Sequence, residues 1–251
     1  MKIEESRKNT IKFCVFISII ILLVIISILT VLKYQVEGEK NLPFIVSKIT
    51  VISTAEGIKK ESTENKWNFD LVQNNDIYIQ IEKNEEYKKQ DFIQKIILDE
   101  FEIEQNPKLG SIRKYMPNSL EGRTFLHKDE FLVDTKLEYK GASKDSMKDL
   151  QIGNQGGTIG IRYENGNLAE YVSNEEEEIV HDGKILAKAN INLEDITCKV
   201  SFDLTMKLSD TSYKTRITVD LPCGDIINKG TETKIIEGKE NLIFKRVNIG
   251  D

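Results

Sequence analysis

"CKVSFDLTMKLSDTSYKTRITVDLPC", residues 198–223, alternates apolar and polar side chains along two runs that flank a Ser/Asp/Thr-rich segment. Alternation with a period of two is typical of a β-strand with one buried face. A two-residue turn at Asp210-Thr211 sets apolar side chains opposite one another on one face and polar ones on the other. The stretch therefore predicts a long antiparallel hairpin.

The same register sets Cys198 opposite Cys223 at the open end of that hairpin. Counted from the turn, this rung is a non-hydrogen-bonded pair with Cα atoms about 4.5 Å apart, at the short end of the range that disulfides tolerate. We therefore predict a disulfide that contributes about 3 kcal/mol through loop entropy. A reduced pair that packs as two small apolar side chains is the alternative.

The same alternation of apolar and polar side chains recurs along most of the chain after residue 42. "FLVDTKLEY", residues 131–139, predicts a half-buried strand with four residues on its apolar face: Phe131, Val133, Leu137 and Tyr139. "WNFDLVQNNDIYIQI", residues 67–81, predicts a hairpin with a three-residue loop at 73–75, because this register keeps the apolar residues of both strands on one face. Trp67 then falls on the buried face.

Further strands and turns follow from local signals. "LPFIVSKITVIST", residues 42–54, predicts the first strand, and the second half of "EEYKKQDFIQKIILDEF", residues 85–101, favours a strand over a helix. Asn165-Gly166 and Asp182-Gly183 are type I′ turn signals. "TKIIEGKENLIFKR", residues 233–246, predicts another hairpin.

Many short strands separated by turn signals favour a mainly β fold, an antiparallel β-sandwich of jelly-roll type. Two small sandwiches that join near residues 141–157 are the alternative. The domain is expected to span residues 43–251, after a juxtamembrane linker at 33–42.

An uncharged apolar run, "FCVFISIIILLVIISILTVL", occupies residues 13–32. A helix of this length spans the roughly 30 Å hydrocarbon core of a bilayer. The run is longer than the apolar region of a signal peptide and ends without an A-x-A-like site, which favours a retained anchor in the lipid bilayer.

Orientation rests on the basic residues that flank this run. Four precede it and three follow it: Lys2, Arg7, Lys8 and Lys12 against Lys33, Lys40 and Lys48. The positive-inside rule then predicts a cytoplasmic tail at residues 1–12 and a β-domain outside the cytoplasm, at the cell membrane. The net charge of −6 argues against a nucleic-acid partner.

Motifs for catalysis or metal binding are scarce. The chain has two histidines, and neither lies in an HExxH motif. His127 with Asp129 and Glu130 is either a metal ligand set or a solvated loop, and His181 after Glu175–Glu178 is either a ligand set or a solvated edge segment. The solvated alternative is preferred for both, so no metal, cofactor or catalytic residue is predicted.

"GNQGGTIGIRYENG", residues 153–166, offers the best candidate for a ligand-binding loop. Its glycines can expose backbone groups to a ligand beside two amide side chains and a guanidinium, and the residues concerned are Gly153, Asn154, Gln155, Gly156, Gly157 and Arg162. The preferred alternative is a plain loop that leads into the strand "TIGIRY", because neither a GxGxxG motif nor a P-loop is present.

The segment "EKNLPFIVSKITVISTAEG", residues 39–57, resembles one found in uncharacterised single-pass membrane proteins of Gram-positive, clostridia-like bacteria. These proteins are similar in layout, with a short tail, an N-terminal anchor and one extracytoplasmic domain. The resemblance implies a location at the membrane and supplies no functional residues.

The function expected from these observations is a non-enzymatic module that binds or scaffolds a protein or an envelope polymer. One alternative is an envelope hydrolase that uses two carboxylates. The other is a carbohydrate-binding module, which would need exposed aromatic side chains and therefore ranks below the first while Trp67 is expected to be buried.

Overall fold

The structure is a computed structural model that describes residues 2–60, 66–119, 124–143, 149–174, 183–238 and 242–248. The chain divides into two compact units. The first comprises Met1–Lys40 with Ile243–Lys245, and the second comprises Asn41–Leu242 with Arg246–Asp251.

The first unit is dominated by one helix, α1 (Lys2–Glu37). Within its segment Lys12–Glu37 the most apolar stretch of 18 residues has a mean hydropathy of 3.3, and the apolar side chains of the segment are exposed on all sides. At 1.5 Å per residue this segment is about 39 Å long, which is enough to cross a bilayer. The predicted apolar helix is therefore confirmed as one that is long and apolar enough to span a membrane.

Hydroxyl side chains interrupt the hydrocarbon surface of α1 at Ser18, Ser27 and Thr30. Ser18 Oγ donates to Cys14 O at 2.9 Å, and Thr30 Oγ1 donates to Ile26 O at 2.8 Å. The Ser18 and Thr30 hydroxyls are thus each satisfied by the carbonyl one turn earlier in the same helix. These two hydroxyls can therefore lie in hydrocarbon with their protons hydrogen-bonded.

The second unit contains two β-sheets. Sheet I has the strand order β10-β1-β2-β7-β4, and sheet II has the order β11-β9-β8-β3-β5-β6. The pairs β10–β1, β1–β2, β2–β7, β7–β4, β9–β8, β8–β3 and β3–β5 are antiparallel, and the pair β5–β6 is parallel. The strands are β1 (Phe44–Lys59), β2 (Lys66–Lys83), β3 (Lys95–Gln105), β4 (Ser111–Tyr115), β5 (Lys136–Gly141), β6 (Gln151–Ile152), β7 (Gly156–Asn174), β8 (Cys198–Lys207), β9 (Ser212–Leu221), β10 (Thr231–Glu237) and β11 (Lys245–Val247).

The two sheets pack face to face as a sandwich. The Tyr163 ring of sheet I stacks on the Phe202 ring of sheet II with centroids 6.4 Å apart. Tyr139 Oη, from sheet II, donates to Gly160 O of sheet I at 2.5 Å. The predicted mainly β, antiparallel sandwich is confirmed. The two-sandwich alternative is wrong, because each sheet takes strands from both sides of residues 141–157.

A smaller core lies beyond one end of the sandwich. Three one-turn helices, α2 (Ile185–Lys188), α3 (Leu193–Ile196) and α4 (Ile226–Lys229), supply buried side chains to it. The strands supply others, and the buried members are Leu71, Leu168, Leu186, Ile191, Ile196 and Ile226. This cluster lets β2 and β7 extend past the main sandwich with one face still protected from water.

The hairpin of β8 and β9 forms, but its predicted register is wrong. Cys198 pairs with Leu221, and Lys207 pairs with Ser212, so the turn lies at Ser209-Asp210. The shift is two residues, which leaves the same side chains on the same face, so the apolar pattern does not exclude it. A long-range contact holds the observed turn, because the Ser209 amide donates to Asp91 Oδ1 at 3.2 Å.

The predicted pairing of Cys198 with Cys223 is therefore wrong as well, and both thiols are free. β9 ends at Leu221, and the chain then turns to sheet I. There the Cys223 amide donates to Ser53 Oγ at 2.9 Å, and its thiol lies 3.5 Å from Val51 O. Cys223 is thus held by a strand of the other sheet rather than by β8.

The predicted hairpin at residues 67–81 is wrong, because β2 runs through it as one strand of 18 residues. Its supposed loop, residues 73–75, lies buried in the middle of the strand. Side-chain hydrogen bonds join Asn74 to Glu56 of β1, and Asn75 to Ser53 of β1 and to the Tyr163 carbonyl of β7, so the polar run is accommodated within a continuous strand. Without the turn, Trp67 lies near the end of β2 and is 39% exposed, contrary to its predicted burial.

The predicted turn at Asn165-Gly166 is also wrong, and the position is a bulge in β7. Leu71 pairs with Ala169 and Gln73 pairs with Asn165, so residues 166–168 stand opposite the single residue between Leu71 and Gln73. Asn167 takes φ +58° there. Asn-Gly supplies the backbone freedom that a bulge needs as readily as the freedom that a turn needs. Asp182, of the other predicted turn, lies outside the described residues.

The remaining strand predictions have mixed outcomes. β1 begins directly after Pro43 and β3 covers 95–105, so both predictions are confirmed. The hairpin at 233–246 is wrong, since β10 joins sheet I and β11 joins sheet II. In "FLVDTKLEY" the strand begins only at Lys136, because Asp129–Phe131 forms a 3-10 turn. Val133, Leu137 and Tyr139 are nevertheless buried.

Candidate functional site

The outward face of sheet I carries a cluster of charged and amide side chains. On β2 and β7, Asn74 pairs with Glu164 and Asp76 pairs with Arg162. Directly opposed residues of antiparallel strands share a face, so all four point away from the sandwich interior. With two residues from neighbouring segments they form what we call the outer cluster: Glu56, Asn74, Asp76, His127, Arg162 and Glu164.

Arg162 and Asp76 form the first ion pair of the outer cluster. Arg162 Nε lies 2.5 Å from Asp76 Oδ1, and Arg162 Nη2 lies 2.9 Å from Asp76 Oδ2, so the contact is bidentate. Both side chains are largely buried, at 13% and 16% exposure. The guanidinium also lies 4.9 Å from the centroid of the Phe125 ring. This geometry fixes the guanidinium plane on the sheet.

His127 joins two carboxylates at the other end of the outer cluster. Its Nδ1 contacts Glu164 Oε2, and its Nε2 lies 3.7 Å from Glu56 Oε2. Hydrogen bonds to Glu164, which has the larger effect, and to Glu56 raise the pKa of His127 to about 9. They outweigh burial, which by itself would lower this pKa. The Tyr115 ring meets the imidazole edge-on, with centroids 6.2 Å apart. His127 is therefore an imidazolium at neutral pH.

Glu56 is held by its polar neighbours. Hydrogen bonding to His127 lowers the pKa of Glu56 although burial opposes it. Asn74 Nδ2 also donates to Glu56 Oε2 at 2.5 Å. A general acid needs a raised carboxyl pKa, and a general base needs an unprotonated imidazole. At neutral pH Glu56 and His127 therefore form an ion pair, and the Asn74 amide hydrogen-bonds to the same carboxylate.

The structure changes the partners of His127. The sequence favours a solvated loop for His127 over a metal site with Asp129 and Glu130, whereas the structure pairs His127 with Glu56 of β1 and Glu164 of β7. Among the residues that the structure describes, no group of three or more His, Cys, Asp or Glu is arranged to hold a metal ion. His181 and Glu175–Glu178 lie outside the described residues.

The predicted ligand loop lies between β6 and β7. Asn154 O accepts from the Ile93 amide at 3.0 Å, and the Gly156 amide donates to Gly153 O at 3.0 Å. Gln155 Nε2 donates to Asp91 O at 3.5 Å. The loop is thus tied by hydrogen bonds to residues 91–93, and it leads into β7.

Arg162, which was grouped with that loop, lies elsewhere on β7. It is five residues beyond Gly157 along the strand, about 17 Å at the usual rise per residue. Its guanidinium is engaged by Asp76. The structure therefore separates Arg162 from residues 153–157 and assigns it to the outer cluster.

The cysteines are not part of this site. Cys198 is fully buried, and burial raises the pKa of its thiol to about 11. A thiol with so high a pKa is a poor nucleophile and a poor metal ligand at neutral pH. Cys198 therefore acts as a small apolar side chain in the sandwich interior.

The outer cluster was missed from the sequence because no local pattern joins its members. Glu56, Asn74 and Glu164 come from three strands, and His127 comes from the segment after β4. The one available signal was the polar run 73–76, which breaks the apolar alternation of β2. That run was interpreted as a turn. Comparison with known proteins found no matching family model, no matching curated protein and no matching solved structure.

Proposed function

We propose that this chain is a membrane-anchored β-domain that acts as a non-enzymatic binding or scaffolding module at the cell envelope, with its β-domain outside the cytoplasm. The observation that carries the proposal is α1, whose segment Lys12–Glu37 exposes apolar side chains on every side. Such a surface is stable in hydrocarbon and unstable in water. The bilayer is the partner whose chemistry fits it.

The outer cluster supports recognition as the task of the β-domain. Glu56 is 51% exposed and His127 is 27% exposed, so both reach solvent, while Glu164 and Arg162 beneath them are largely buried. Bidentate and hydrogen-bonded contacts hold these groups in fixed orientations. Preorganised polar groups bind a partner with little loss of side-chain entropy.

The paired charges favour binding over hydrolysis. A hydrolase that uses two carboxylates needs one of them protonated at working pH. In the outer cluster the pKa of Glu56 is lowered and His127 is cationic. This electrostatic setting keeps the Glu56 carboxyl ionised, so it lacks the proton that a leaving group would need.

Membrane anchoring is tested by replacing Leu22 and Ile26 together with lysine. Each lysine costs about 2.5–3.5 kcal/mol at the centre of a spanning helix. We expect the unaltered chain to stay with membranes after carbonate washing and the double variant to be released. The matched control replaces Leu22 with Ile and Ile26 with Leu. Release of the unaltered chain would remove the basis of the proposal.

Recognition through the outer cluster is tested by placing a photo-crosslinking residue at Glu56. The matched control places the same residue at Lys136, an exposed position on sheet II. We expect a discrete crosslinked partner in intact cells from position 56 and none from position 136. Crosslinks from neither position, or equally from both, would contradict a binding role for this face.

Glycan binding is a second candidate, favoured by the exposure of Trp67. Lys59 Nζ lies 3.7 Å from the centroid of the Trp67 ring, so a cation already stacks on it. Trp67 is the only tryptophan of the chain, which makes its fluorescence a site-specific probe. A saturable emission change on adding soluble envelope glycan would support this candidate, and an unchanged spectrum would remove it.

A further inference from the structure

Behind the outer cluster, the inward face of sheet I carries a second set of polar side chains. Gln73 pairs with Asn165, and Asn75 pairs with Tyr163. All four side chains are fully buried between the sheets. We call these four residues the inner patch. It interrupts a core that is otherwise made mainly of hydrocarbon, so its hydrogen bonds decide whether burying it is tolerable.

Asn75 is well satisfied inside the inner patch. Its Oδ1 accepts from Ser53 Oγ at 2.8 Å and from Gln73 Nε2 at 3.2 Å. Its Nδ2 donates to the Tyr163 carbonyl at 3.1 Å. Asn75 therefore links β1, β2 and β7 by side-chain hydrogen bonds.

The other three members each keep one polar atom without a protein partner: Gln73 Oε1, Tyr163 Oη and Asn165 Oδ1. The amide nitrogens of Gln73 and Asn165 are used, the first by Asn75 Oδ1 and the second by Leu109 O at 3.0 Å. A buried polar group without a partner costs about 1–3 kcal/mol. Three such atoms within two adjacent cross-strand pairs call for a shared partner.

The chemistry of the three atoms defines that partner. Two are amide oxygens, which only accept hydrogen bonds, and the third is a hydroxyl, which can donate one. The complement is a small molecule with two donors and one acceptor. A cation does not fit, since none of the four residues carries a charge to compensate it.

We propose that the inner patch binds an enclosed water molecule, which donates to Gln73 Oε1 and Asn165 Oδ1 and accepts from the Tyr163 hydroxyl. Folded proteins hold about one buried water per 27 residues, usually with about three hydrogen bonds, so this site is of an ordinary kind. The Tyr163 ring stacks on Phe202 of sheet II, which keeps its hydroxyl inside the sandwich.

The bound water also supports the outer cluster. Asn74 lies between Gln73 and Asn75 on β2, and Glu164 lies between Tyr163 and Asn165 on β7. Neighbouring residues of a strand point to opposite faces, so the inner patch and the outer cluster share the same short stretch of backbone. By joining β2 to β7 on the inner side, the water fixes the strands that carry the outer cluster.

A double-mutant cycle on the full chain in detergent tests the proposal. Tyr163→Phe removes only the hydroxyl, and Gln73→Met removes the amide at nearly constant volume. We expect Tyr163→Phe to lower the midpoint of thermal unfolding by about 2–4 °C in the unaltered chain. In the Gln73→Met background the same change should have less than half of that effect, because the shared water is already lost.

Tyr139→Phe is the matched control. The Tyr139 hydroxyl contacts Gly160 directly, donating to its carbonyl and accepting from its amide at 3.0 Å. Its removal should lower the midpoint equally in both backgrounds. If Tyr163→Phe raises the midpoint, or lowers it equally in both backgrounds, no water joins these residues and the proposal is wrong.

Crystallography of the unaltered chain gives a readout that does not depend on any variant folding. The proposal requires a density peak within about 3.2 Å of both Gln73 Oε1 and Tyr163 Oη. A peak that touches only one of them, or no peak between them, would overturn it.

Discussion

The outer cluster and the inner patch lie on opposite faces of the same two strands, yet they are built from different chemistry. The outer cluster consists mostly of charged groups in ion pairs, such as Asp76 with Arg162. The inner patch contains only neutral amides and a phenol, centred on Asn75. Along β2 the two sets alternate: Gln73 and Asn75 belong to the inner patch, and Asn74 and Asp76 belong to the outer cluster.

The difference shows how access to water selects the polar groups that a sheet can carry. On the outer side, solvent and opposite charges offset the cost of partial burial, so carboxylates and cations are tolerated. Between the sheets an ion would lose its hydration without a counter-ion, whereas an amide needs only hydrogen bonds. A substitution that places a charge between the sheets should therefore lower the free energy of unfolding more than one that removes a charge from the outer face.

The largest effect is expected from Asn75→Asp. The new carboxyl keeps the acceptor but loses the Nδ2 donor to the Tyr163 carbonyl and introduces a charge between the sheets. We expect a loss of about 3–5 kcal/mol in the free energy of unfolding, measured by urea denaturation at pH 7.

Asn68→Asp is the matched control for this prediction. Asn68 lies on the same strand at a half-buried position, opposite the exposed Val172. A carboxylate can stay hydrated there, so the change should be small. Equal losses at positions 68 and 75 would show that the strand rather than the face sets the cost.

A smaller effect is expected from Asp76→Asn in the outer cluster. The substitution leaves the Arg162 guanidinium largely buried without its counter-charge. We expect a loss of about 2–3 kcal/mol in the same urea measurement.

Glu170→Gln serves as the control for Asp76→Asn, because it removes a carboxylate from the exposed pair with Lys60. Exposed pairs contribute little to stability, so no resolvable change is expected. A loss as large as that of Asp76→Asn would contradict the role given to burial.

The smallest effect concerns the pH dependence that His127 confers. The folded-state pKa is raised to about 9, above the value near 6.5 expected in the unfolded chain. The stabilisation is therefore fully present below about pH 6.5 and is lost as pH rises through about 9. We expect it to amount to about 1–2 kcal/mol, since His127 is partly exposed.

The measurement compares unfolding of the unaltered chain with that of His127→Gln between pH 6 and pH 10. His181 is present in both proteins, so its titration cancels in the difference. The advantage of the unaltered chain should shrink across this range. A difference that stays constant with pH would mean that the imidazolium pairs do not stabilise the fold.

The β8–β9 hairpin shows how far local sequence patterns reach. Period two correctly predicted two strands and their apolar face. The register was wrong by two residues because such a shift preserves both faces, and the contact that selects it, between Ser209 and Asp91, joins distant parts of the chain. The cysteine pairing depended on that register and was wrong with it.

The candidate site could be predicted even less. Residues 73–75 and Asn165-Gly166 have the composition of turns, and local reasoning assigns them to turns. In the structure they lie within continuous strands, because β1 and β7 supply hydrogen-bond partners for Asn74 and Asn75 and a bulge absorbs Gly166. Polar residues adopt a turn or a buried strand according to the partners that they find.

The sequence by itself determined the apolar helix, the mainly β character of the domain and the start of its first strand. These features depend on composition and periodicity, which act over a few neighbouring residues. Only the tertiary structure decided the hairpin register, the free state of the two cysteines, and the meeting of His127 with Glu56 and Glu164. Each of these depends on hydrogen bonds and ion pairs between residues far apart in the chain, and no local pattern encodes their distance in space.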